Sequence, residues 1–128
     1  MKISKRAQYG LRAMVYLAKN QNKGNTMPLK EVSKSEAIPF NFLEKIIGQL
    51  EKAGMVSSKK GVQGGYVLAK KAEKITARDI VEALESTTAV DCRLCGKSKE
   101  CLTKNVWRKI DIAIDKTLKS ITLKDLIS

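Results

Sequence analysis

Apolar side chains recur every three or four positions in several stretches of the chain, and two short β-prone runs lie between them. Ser4 reads as an N-cap, after which Ala7, Leu11, Met14, Val15 and Ala18 mark one face of a helix to about Asn20. Gln21-Asn22-Lys23-Gly24-Asn25 reads as a loop. Pro28 opens a second helix, with Leu29 and Val32 inward, that ends near Glu36. Ala37-Ile38-Pro39 is a short turn into a third helix. There Leu43, Ile46, Ile47, Leu50 and Ala53 form the expected buried stripe, and Gly54 stops the helix just beyond its cap. Two short helices about a tight turn, the second with its polar residues outward, make a helix-turn-helix pattern.

Met55 to Lys60 and Tyr66 to Ala69 flank Gly61-Val62-Gln63-Gly64-Gly65 and read as a hairpin. Taken alone it is an ordinary surface hairpin. Directly after a helix-turn-helix it reads as a wing, whose lysines and glycines suit close approach to a phosphate backbone. Thr76 caps a helix through Glu85 with Ile80, Val81 and Leu84 inward; Thr76-Ala77-Arg78-Asp79 is a loose capping box, with Asp in place of Glu. Ser86 to Lys104 has little periodicity. From about Thr103, the residues Trp107, Ile110, Ile114, Leu118 and Ile121 follow at spacings of 3, 4, 4 and 3. That is a long helix with a narrow apolar seam, suited to pairing with another helix or to packing on its own domain.

Composition narrows the class. The chain has 128 residues, 43% apolar and 30% charged, which fits one compact domain with an appended element and argues against general disorder. The N-terminus lacks the apolar core of a signal peptide and no apolar run approaches a membrane span, so the expected location is the cytoplasm, near the nucleoid. The net charge of +12 is uneven: residues 1–75 carry 15 Lys and Arg against 5 Asp and Glu, whereas residues 76–128 carry 10 against 8. A basic half joined to a near-neutral half suggests that the first half meets a polyanion.

Cys92, Cys95 and Cys101 lie within ten residues, and the chain has no histidine. Catalysis by Ser-His or Cys-His pairs is excluded, and an odd cysteine count argues against a disulfide framework. Thiolates this close can converge on one soft metal, and Lys97 and Lys99 would lower their pKa. Zinc and iron–sulfur sites usually take four protein ligands, so a fourth must come from elsewhere. Unligated thiols or a redox pair are the alternatives.

In this order, Gln8-Tyr9-Gly10-Leu11-Arg12-Ala13-Met14, Leu43-Glu44, Ala53-Gly54-Met55-Val56, Gly61-x-x-Gly64-Gly65-Tyr66 and Ile75-Thr76 resemble the IscR/NsrR/CymR-type family of bacterial winged-helix regulators along nearly the whole chain. Cys101-Leu102-Thr103, Trp107-Arg108 and Ile121-Thr122-Leu123 are similar to the IscR branch. The resemblance implies a mainly α fold with a small β-hairpin wing. Residues 1–85 would form the winged helix-turn-helix DNA-binding domain, 86–104 a cluster-binding loop, and 105–128 a dimerisation helix and C-terminal tail. It also implies a homodimer on a roughly palindromic operator of double-stranded DNA, acting as a repressor. Asn41 and Glu44 would face base edges, Lys60 with Gly64 and Gly65 would form the wing contact, and Cys92, Cys95 and Cys101 would hold a 2Fe-2S or 4Fe-4S iron–sulfur cluster.

Departures from the family pattern bear on the details. Pro39 replaces a small hydroxyl residue, and the first two cysteines are unusually close. Lys104 stands where the IscR branch has its histidine ligand, and Gln8 where some nitric-oxide-sensing relatives have an acidic one. Glu44, Asp91, Glu100, a water or a small thiol remain as fourth ligands. An operator-binding regulator under cluster control is therefore the expectation. A cluster-free regulator resembling the CymR branch, answering to a partner or thiol state, and an iron–sulfur carrier are the alternatives. The absence of a Gly-rich nucleotide loop at a helix start argues against an enzyme.

Overall fold

A computed structural model describes residues 3–20, 26–59, 64–85 and 102–128. The element order is α1 (Lys5–Asn20), α2 (Leu29–Glu36), α3 (Phe40–Lys52), β1 (Val56–Lys59), β2 (Gly65–Leu68), a 3-10 turn (Ala72–Lys74), α4 (Ala77–Leu84), α5 (Lys104–Lys119) and α6 (Leu123–Ile127). The mainly helical winged-helix architecture expected from the sequence is the one observed. The loop at 21–25, the wing tip at 60–63 and the cysteine segment at 86–101 lie outside the described residues.

Local signals act where the sequence places them. Ser4 Oγ accepts the Ala7 amide at 3.1 Å and starts α1. Pro28 precedes α2 in an extended conformation. Met14, Val32, Leu43, Ile46, Ile47, Leu50, Ile75 and Ile80 are fully buried in one continuous core. Three positions differ from the periodic reading. In α1 the buried face centres on Gly10, Ala13 and Leu17, leaving Leu11 and Val15 half-buried. Gly10 is there because α4 crosses at that point: a Cβ would stand 2.1 Å from Leu84 Cδ1. Ala53 is exposed, because it forms the cap after α3 has ended.

The wing is an antiparallel ladder pairing Val56 with Leu68 and Lys59 with Gly65. It has a third, one-residue strand: Met27 and Tyr66 exchange both backbone hydrogen bonds at 2.9 Å. This pins the tip-proximal part of β2 to the entrance of α2.

The C-terminal tail folds back into the core. After α5 the chain breaks at Ser120, so Ile121 belongs to a turn and not to the long helix. Thr76 and Thr122 form an antiparallel bridge, with Ala77 N donating to Ile121 O at 2.8 Å and Leu123 N to Ile75 O at 2.9 Å. Each threonine then heads a full capping box, Thr76 with Asp79 and Thr122 with Asp125. Aspartate replaces glutamate in both without losing either reciprocal bond. Leu123 is 1% exposed, so α6 contributes to the same core as α1 to α4.

Candidate nucleic-acid interface and sensor segment

Four fully buried residues, Leu43, Ile46, Ile47 and Leu50, clamp one face of α3 to the core. The opposite face, one or two positions round the helix, is then turned to solvent by geometry alone. Asn41, Glu44, Lys45 and Lys52 are all exposed there. Pro39 precedes the helix and Ala37 adopts a left-handed conformation (φ 53°), which makes the sharp turn from α2. Ile38 N donates to Ser33 O at 3.0 Å and Ile38 is buried, so the turn is locked from within.

An aromatic–cationic cluster at the start of α3 was not singled out from periodicity. Tyr9 of α1 meets Phe42 edge-on, with ring centroids 5.6 Å apart. Lys5 and Arg12 lie over the Tyr9 ring at 5.7 and 5.6 Å. Arg12 also pairs with Glu36, through its carboxylate at 3.6 Å and through its main-chain carbonyl. These contacts fix the first turn of α3 against α1 and the end of α2. The only hint in the sequence was the family-like stretch that contains Tyr9 and Arg12.

On the wing side, burial pushes the Tyr66 hydroxyl above its ordinary range, with Glu51 and Glu44 adding to the effect. Gly65 has its reason within the fold, since a Cβ would stand 2.5 Å from the Met27 carbonyl oxygen and 2.8 Å from Pro28 N. Gly64 is half-exposed at the edge of the described wing, and Lys60 lies outside the described residues.

Cys92, Cys95 and Cys101 also lie outside the described residues, as do Asp91 and Glu100. Both flanks of their segment are anchored. The Glu85 carboxylate accepts the Ser4 amide at 3.2 and 3.3 Å, tying the end of α4 to the start of α1. On the far side, Asp115 of α5 pairs with Arg78 of α4, and Lys119 reaches the same carboxylate at 3.1 Å. The Arg78 guanidinium, followed by Lys119, holds the Asp115 carboxyl below its ordinary range. Among the described residues no group of three or more Cys, Asp or Glu converges as a metal site.

Helix α5 has no fully buried residue. Trp107, Ile110, Ile114 and Leu118 are half-buried, and the structure adds two apolar positions outside the expected seam, Val106 (51% exposed) and Ile112 (59% exposed). Among the described residues no helix is long and apolar enough to cross a membrane.

A family model described as "Rrf2: Iron-dependent Transcriptional regulator" matches residues 3–128. The HTH-type transcriptional regulator CymR of Bacillus subtilis is 37% identical over 128 residues, spanning 100% of this chain and 91% of that protein. Among solved structures, CymR, the global cysteine regulator of B. subtilis, superposes with a TM-score of 0.86 at 34% identity, covering 99% of this chain and 96% of the other. T. potens IscR superposes with a TM-score of 0.84 at 35% identity, covering 99% and 86%.

Proposed function

The chain belongs to the Rrf2 family, a DNA-binding transcriptional regulator and not an enzyme, and from that premise we propose that an iron–sulfur cluster controls its binding to an operator. The observation that carries the proposal is the placement of Cys92, Cys95 and Cys101 within ten residues, between the two anchored flanks at Glu85 and α5. The donor set fits such a cluster in kind, being all thiolate in a chain without histidine, and it leaves one ligand to be supplied. When bound, the cluster would supply a redox- and iron-responsive crosslink between the two flanks. The chain's own residues do the rest.

In this reading Asn41 and Glu44 of α3 face base edges in the major groove, while Lys60 and Gly64 carry the wing toward the backbone and Gly65 lets β2 pack against Met27 and Pro28. Two copies pair through the half-covered seam of α5, so that each α3 meets one half-site. The anchors then matter for regulation. Glu85 ties the cysteine segment to α1, and α1 carries Tyr9 and Arg12 onto the first turn of α3. A ligand shifts such an arrangement only by its differential affinity for two states.

A second reading has the cysteines acting without metal, the operator affinity answering to a partner or to thiol oxidation. Lys104, in place of a histidine ligand, favours it. One experiment separates the two: absorbance, iron and sulfide content of an anaerobic preparation, alongside operator binding of the loaded, apo and Cys101→Ser proteins. Cluster control predicts a coloured wild type, a colourless variant and an affinity difference of roughly 5–150-fold between them. A colourless, iron-free wild type that binds its operator tightly assigns control to the second reading.

A further inference from the structure

The middle of α3 carries a glycine that nothing among the described residues requires. Gly10 has Leu84 Cδ1 at 2.1 Å from the place a Cβ would take, Gly65 has the Met27 carbonyl oxygen at 2.5 Å, and Gly54 holds a left-handed φ of 80°. Gly48 has none of these reasons. Its backbone is ordinary helix, and apart from its chain neighbours and its own helical backbone a Cβ built on it meets no atom of the described residues within 4 Å. Glycine in the interior of a helix is second only to proline as an unfavourable residue. An alanine at this position would enter open space and strengthen α3.

The surroundings of Gly48 supply the missing reason. Residues three and four apart share a helix face. Gly48 therefore stands one turn beyond Glu44 and Lys45 and one turn before Lys52, on the face opposite Leu43, Ile46 and Leu50. Those three neighbours are charged and exposed. We infer that Gly48 is the point at which the α3 backbone comes closest to duplex DNA. A side chain there would hold the middle of the helix away from the major groove and lift Asn41 and Glu44 from the base edges. Duplex DNA is the occupant because Lys45 and Lys52 flank the gap and residues 1–75 carry 15 Lys and Arg against 5 Asp and Glu. The inference rests on the DNA-facing assignment of α3 made above. It adds an affinity determinant that acts by having no side chain.

The test uses a duplex selected from a randomised DNA library by the full-length wild type, purified anaerobically. Wild type, Gly48→Ala and Gly48→Leu are then compared on that duplex at one salt concentration and by thermal unfolding. Gly48→Ala is expected to melt no lower than wild type yet to bind roughly tenfold or more weakly, and Gly48→Leu more weakly still. A Gly48→Ala protein with wild-type affinity overturns the inference. So does a loss of affinity matched by a lowered melting temperature in both variants, which would assign the glycine to the fold. A wild type that enriches no duplex overturns the DNA-facing assignment of α3 itself, and this inference with it.

Discussion

Helices α3 and α5 have similar lengths and similar amphipathic patterns, and they end in opposite situations. The apolar stripe of α3 is closed over by α1, α2, α4 and β1, and four of its side chains are fully buried. The stripe of α5 meets chiefly α4, steadied by Arg78 and Asp115, and none of its side chains is fully buried. Periodicity specifies that a face must be covered, but it does not say by what. For α3 the cover is this chain, which turns the polar face outward to solvent, where DNA is proposed to meet it. For α5 the cover supplied by the described residues is incomplete, which is why a second copy is proposed for it.

The largest expected effect tests the incomplete half of that contrast. Ile114→Glu places a charge in the proposed pairing seam and should weaken association by about 3–5 kcal/mol. Sedimentation should then find a monomer at low micromolar concentration, and the melting temperature should cease to depend on protein concentration. A variant that remains dimeric moves the seam elsewhere on α5, with the exposed Val106 as the next position to test.

Leu50→Ala tests the complete half. It removes a fully buried side chain from the α3 stripe and should cost about 2–5 kcal/mol in urea unfolding at any protein concentration. A cost below about 1 kcal/mol would mean that the core collapses around the gap and that α3 is held less firmly than its burial implies.

The smallest effect concerns the polar tie between Asp115 of α5 and Arg78 of α4. Because Arg78 and Lys119 lower the Asp115 carboxyl, the contact contributes in full above the ordinary carboxylate range and is lost as pH falls through the lowered value. Trp107, the only tryptophan, lies on α5 and should report the loosening as a change in emission on acidification. Asp125 is lowered as well, by its bonds to Thr122, so Asp115→Asn serves as the control. If Asp115→Asn titrates like wild type, the signal does not come from the contact between α4 and α5.

Much of this molecule was written locally. Ser4, Pro28, Gly54 and the Thr76–Asp79 pair act on amides and carbonyls within a few residues of themselves, so the ends of α1 to α4 were legible. The stripe of α3 was legible for the same reason, down to the four residues that are fully buried. Capping and periodicity need no partner beyond three or four positions.

What the tertiary structure alone decided joins residues far apart in the chain. Leu123 enters the core because Thr122 bridges Thr76, and no periodic signal in five residues of α6 could announce it. Met27 becomes a third strand only when Tyr66 arrives beside it, and that arrival also explains Gly65. Tyr9 finds Phe42 across two helices. Gly48 is the reverse case: its residue type was plain in the sequence, but the emptiness around it, which turns a helix-breaking residue into evidence of a close neighbour, exists only once the surrounding elements have taken their places. Local interactions chose the elements and most of their boundaries. Long-range contacts, whose closure no short window records, chose which faces were left open.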